Sequence, residues 1–156
     1  MKLGSSINGV ILILSPDCRD REVKAQLVHF LMQLITTEIQ DFMNPNKIYK
    51  IISLGISSTS EPYHEHKIGG PHRGGLAIDI AAVNGKSITH LYNHDEELTG
   101  ICDALQLNAT DIKNVFESFG PLMCFKMDRD GNSRQIKKDT KVINQHKSHL
   151  HFSVRP

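Results

Sequence analysis

The chain has 156 residues, 39% hydrophobic and 22% charged, with 18 Lys and Arg set against 17 Asp and Glu for a net charge of +1. That length suits one domain with a real core and is short for two. The balanced charge, the lack of Lys/Arg clusters interleaved with aromatics, and the lack of any apolar run of spanning length argue against nucleic-acid-binding and membrane classes.

In chain order, Val10–Leu14 is a short apolar run preceded by one lysine and followed by no small-residue cleavage site. It is expected to be a first strand, not a signal peptide, which makes the protein cytoplasmic as synthesised. Ser15 and Pro16 then suit the N-cap and first position of a helix. Val23, Leu27, Phe30, Leu31, Leu34 and Ile39 recur at helical spacing and predict one long amphipathic helix, stopped by Asn44-Pro45-Asn46. Lys47–Ser57 is rich in β-branched residues and reads as a strand.

From Ser57 to Gly75 the chain is polar and punctuated by Gly and Pro, a long loop of the kind that carries function. Leu76–Val83 follows as a strand, with Asn84-Gly85 as a hairpin turn. Two helices are expected, over Asp95–Leu107 and Thr110–Phe119, the second capped by Asn108 or Thr110. Pro121–Met127 reads as a strand, Asp128–Asn132 as a turn, and Ser148–Val154 as a closing strand. The expected fold is α+β, an antiparallel sheet with helices packed on one face, in a single domain spanning residues 1–156. The cysteines, Cys18, Cys102 and Cys124, are odd in number and widely spaced, so a reducing compartment is expected and no disulfide framework.

Nine histidines are the unusual feature, six of them grouped as His64, His66 and His72, then His146, His149 and His151. His72 and Asp79 are separated by six residues and His149 and His151 by one; short spacings of this kind also arise by chance. Context strengthens them. A carboxylate inside an apolar strand is costly unless paired or coordinated. Asp79 sits between Ile78 and Ile80, so alternation turns it away from their core side, between the small Ala77 and Ala81. On the last strand His149 and His151 share one face, expected to be open, and Leu150, Phe152 and Val154 the other, core face. Gly74 and Gly75 allow the bend that returns His72 toward Asp79. Two imidazoles and one carboxylate form a catalytic-type zinc set, with a fourth position open to water.

The combination of "HRGGLAID" with a late "HLHF" resembles the zinc peptidases of the hedgehog/D-Ala-D-Ala peptidase superfamily, which includes peptidoglycan carboxypeptidases, dipeptidases and endopeptidases and the lysins of phages. The resemblance covers the second half of the chain. It implies a Zn2+ ion held by His72, Asp79 and His151, with His149 beside it. Many relatives place a Glu or Asp three to six residues before the last ligand, and the window Gln145–Ser148 has none. The penicillin-insensitive murein endopeptidase branch instead shows H-x-x-H-x-H, matched by "HKSHLH", so His146 becomes the expected general base. An Arg that relatives carry after the strand corresponding to Lys47–Ser57 is missing, which favours an endopeptidase; Lys67, Arg73 and Arg155 are the candidate replacements. The implied partner is a peptidoglycan stem or cross-link peptide, reached in the cell wall after release, as for a phage lysin.

Two other readings stand beside this one. The first is a non-catalytic zinc-binding or partner-binding module on the same scaffold. The second is a two-histidine phosphoesterase, weakened because the N-terminal half lacks an H-x-[ST] motif. His64 and His66 are expected to be mobile loop residues, with a place at the cleft rim as the alternative, His29 at the core edge of its helix, and His90 and His94 at the surface. The cysteines are expected to be inert.

Overall fold

The computed structural model describes residues 1–59, 74–121, 123–128, 130, 132–135 and 145–156. The chain opens on a hairpin of β1 (Ser6–Ile7) and β2 (Val10–Leu14). Ile7 pairs with Val10 across Asn8-Gly9, and both turn residues have positive φ, the geometry that matches strand twist in a two-residue loop. β2 alternates as a strand with one covered face should. Val10 and Leu12 are buried, while Ile11 and Ile13 face outward. Helix α1 (Pro16–Asp20) is capped as expected, Ser15 Oγ accepting from the Cys18 amide.

Helix α2 (Ala25–Leu34) buries Leu27, Phe30, Leu31 and Leu34 but stops short of the predicted extent. The β-branched run Ile35-Thr36-Thr37 turns the chain into β3 (Glu38–Gln40), so Ile39 is a strand residue paired with Tyr49 on β4 (Ile48–Lys50). Asn44-Pro45-Asn46 lies in the connection between those strands, where Asp41 Oδ1 accepts from the Met43 and Asn44 amides. The expected strand Lys47–Ser57 is two strands in different sheets, β4 and β5 (Ser53–Ser58).

Strand β6 (Ala77–Val83) turns at Asn84-Gly85, both at positive φ, into β7 (Lys86–Ser87), as predicted. The short helix α3 (Ile88–Leu91) follows. Helix α4 (Glu96–Thr110) is one helix, capped by Asp95 on the Leu98 amide, and Asn108 and Thr110 lie inside it rather than capping a second. The predicted second helix is strand β8 (Val115–Phe119), entered through Asn114 in the left-handed region. Strands β9 (Cys124–Met127), β10 (Ser133–Gln135) and β11 (Leu150–Val154) complete the described elements. Between the first two, Asp128 Oδ1 accepts from the Asp130 and Asn132 amides in the expected turn.

The main sheet runs β1-β2-β5-β6-β11-β8-β9-β10 with β7 beside β6; β2 and β5 are parallel and the other neighbours antiparallel. The last strand in sequence thus sits in the middle of the sheet. Helices α2 and α4 touch each other and both touch β11, giving the α+β arrangement expected. The core joins their apolar faces to Ile78, Ile80, Leu150, Phe152 and Val154, with the Phe30 and Phe152 rings 6.1 Å apart. Cys18, Cys102 and Cys124 are free and buried, and burial pushes the Cys102 and Cys124 thiols up. His29 is exposed on α2 rather than at its core edge, and His94 is exposed as expected. Among the described residues no helix is long and apolar enough to cross a membrane.

Candidate metal centre

The strand order brings β6, β11 and β8 side by side, and their faces away from the helices build the site. His151 pairs in register with Asp79 on one side and Phe119 on the other. Because alternation fixes which side chains share a face, this register sets Asp79 and His151 opposite the core residues Ile78, Ile80, Leu150 and Phe152. The sequence predicted that division. It predicted an open face as well, and here the structure differs: Asp79 is 4% exposed and His151 5%.

His151 Nδ1 lies 2.9 Å from Asp79 Oδ1, and His149 Nε2 lies 3.8 Å from the same oxygen. The His146 ring stands 5.1 Å from that of His149 and 5.5 Å from that of His151, and meets Phe119 edge-on at 5.0 Å. Four of the five candidate residues are therefore gathered: Asp79, His146, His149 and His151. The fifth, His72, lies outside the described residues, as do His64, His66, Lys67 and Arg73. Arg155 is engaged elsewhere, donating to the Met127 carbonyl and lying over the Phe116 ring, so it is not available to clamp a substrate carboxylate.

Sequence reasoning missed Glu117. Its Oε1 stands 3.2 Å from His151 Nε2 and accepts from Ser153 Oγ at 2.9 Å. Read as a helix, the segment "VFESF" gives Glu117 no place at the site. Read as a strand, it sets Glu117 beside Ser153 on the face of His151 and Asp79. A bulge at Phe116 completes this: Glu117 pairs with Ser153, yet Val115 pairs with Val154, so Val115 returns to the core.

His151 thus lies between two carboxylates. Burial, the strongest single influence on it, favours the neutral ring; hydrogen bonds to Asp79 and Glu117, with their charges, outweigh it and raise the pKa to about 9. Glu117 is pushed up by burial and brought below its ordinary value by His151, Ser153 and Lys126. Burial lowers the His149 pKa, opposed by Asp79 and assisted by the charge of His151. The balance favours the neutral ring of His149.

Among the described residues no group of three His, Cys, Asp or Glu side chains is arranged to hold a metal ion. The donors present, imidazole and carboxylate, are of the kind zinc takes. Two ligands of a tetrahedral zinc ion, each about 2.0–2.1 Å from it, stand about 3.3 Å apart. Asp79 Oδ1 and His151 Nδ1, at 2.9 Å, are joined here by a hydrogen bond, and His149 Nε2 stands 3.8 Å from the same oxygen. Compared with protein-family models, with characterised proteins and with solved structures, the chain finds no match.

Proposed function

We propose that this protein is a zinc-dependent peptidase acting on peptidoglycan stem or cross-link peptides. The observation that carries the reading is the in-register pairing of Asp79 with His151, with His149 3.8 Å from the same carboxylate oxygen and the His146 ring beside both imidazoles. The substrate class rests on the motif resemblance alone. Asp79 and His151 would hold the ion, with His72 as the third ligand that the resemblance implies. Zinc would supply Lewis acidity toward a scissile carbonyl and bring the pKa of a water toward ~7.

The remaining work falls to the chain's own side chains. His146 accepts the proton of the attacking water and returns it to the leaving amine, work that contributes about 10²–10⁴-fold in rate. His149 donates a hydrogen bond to the carbonyl oxygen as charge builds there, a role worth roughly 2.7–4 kcal/mol for one well-placed donor. Burial of Asp79 and His151 keeps bulk water from competing for the ligands.

The test is digestion of purified muropeptides by zinc-loaded protein, followed by mass spectrometry. Cleavage of one peptide bond is expected, abolished by a chelator and by Asp79→Ala. His146→Ala is expected to lower the rate about 10²–10⁴-fold with zinc content unchanged. Intact muropeptides after incubation with the loaded wild type would reject the peptidase reading.

One observation favours a metal-free form of the non-catalytic, partner-binding alternative over its zinc-binding form. His151 has a carboxylate at each ring nitrogen, so buried Asp79 and His151 and half-buried Glu117 can satisfy one another as a charged triad with no ion. Such a triad holds its proton and takes up no zinc, which separates it from the peptidase.

A further inference from the structure

The ligand set and the general base leave Glu117 without a part. We propose that Glu117 is a positioning residue, which holds the His151 ring so that Nδ1, rather than Nε2, is the nitrogen offered beside Asp79. The inference rests on the zinc reading above and adds to it which nitrogen binds and what keeps it there.

The geometry carries the argument. A metal ligand histidine commonly donates its other N–H to a carboxylate, which fixes both tautomer and ring angle. In His151 the two nitrogens diverge to different strands, Nδ1 to Asp79 on β6 and Nε2 to Glu117 on β8. A half-turn of the ring would exchange Nδ1 for Cδ2 and Nε2 for Cε1, and both hydrogen bonds would be lost. Glu117 is itself held: the oxygen that faces Nε2 also accepts from Ser153, its partner across the strands. The Phe119 ring, 5.5 Å away and tilted by 25°, covers one face of the imidazole. Glu117 also stands on the side of the ring opposite the Asp79 oxygen. Its oxygen is engaged by His151 Nε2 and Ser153 Oγ, so its influence on the site passes through His151.

The experiment is zinc affinity, by competition with a chromophoric chelator, for the intact wild-type chain, Glu117→Gln and Glu117→Ala. It is paired with ¹H–¹⁵N spectra of the histidine rings in the zinc-loaded proteins. Glu117→Ala is expected to weaken zinc binding about 10–100-fold and to remove the Nε2–H resonance of His151. Glu117→Gln retains an acceptor without the charge and is expected to lose roughly 3–10-fold while keeping that resonance. Should the alanine variant fail to fold, the glutamine variant decides. Wild-type affinity in the variants that fold, or coordination of zinc through Nε2, would overturn the inference and leave the zinc reading intact. A wild-type chain that binds no zinc overturns both.

Discussion

At the scale of single residues the site is governed by one imidazole held by two carboxylates. With its folded pKa raised to about 9, above the ordinary 6.5, His151 in the metal-free protein contributes stability that is fully present below about pH 6.5. That contribution is lost as pH rises through about 9. Among the described residues, the titratable groups that face the ring include Asp79, Glu117, His149 and His146, with Lys126 acting on Glu117. A ring-proton NMR titration of the chelator-treated chain is expected to give His151 a midpoint near 9, with the denaturation midpoint falling between pH 6.5 and 9. A His151 midpoint near 6.5 would mean that the two carboxylates do not hold it charged. His149 is expected to titrate below 6.5 in the same experiment.

At the scale of elements, the approach to β6 depends on two glycines of the motif that play unequal parts. Both have positive φ, but a Cβ at Gly75 would come 2.6 Å from the Glu22 carbonyl oxygen and the Val23 Cα, whereas at Gly74 the nearest atom is the flexible end of Lys24 at 3.7 Å. The Gly75 carbonyl also accepts from the Lys24 amide, joining this turn to the start of α2. Gly75→Ala is expected to destabilise the chain by roughly 1–3 kcal/mol, from strain and from backbone displacement. Gly74→Ala bears only the strained φ and is expected to cost less. Equal denaturation midpoints for the two variants would contradict this. Elements were legible where short-range rules decide them: Ser15-Pro16 at a helix start, Asn84-Gly85 in a hairpin, and the alternation about Asp79 and His151. They were misread where one apolar pattern fits two periods. Val115, Phe116 and Phe119 suit a helix face as well as a bulged strand, and only the pairing of β8 with β11, set by tertiary contacts, decides between them. That misreading hid Glu117.

At the scale of the whole molecule, the site is assembled by closing the sheet on its last strand. Residues 72 positions apart in sequence, Asp79 and His151, meet because β11 inserts between β6 and β8. The sequence implied their meeting through a zinc-type donor set and a motif resemblance, with no pairing signal between the two strands. It held no local signal for the central place of β11 or for the burial of the site, since both depend on the packing of distant segments. A ligand bound only by the folded state stabilises it by about 2.7 kcal/mol at a free concentration of 100 times Kd. For a chain of this size that corresponds to roughly 5–10 °C in Tm. Calorimetry with and without zinc is expected to show such a rise in the wild type and none in Asp79→Ala.

The measurement that meets the central claim most directly is the zinc content of purified protein, wild type beside Asp79→Ala, after zinc is supplied and excess removed. The account predicts about one zinc per chain in the wild type and essentially none in a folded Asp79→Ala variant. No zinc in the wild type would contradict it, leaving Asp79, His151 and Glu117 as a charged triad that holds no metal.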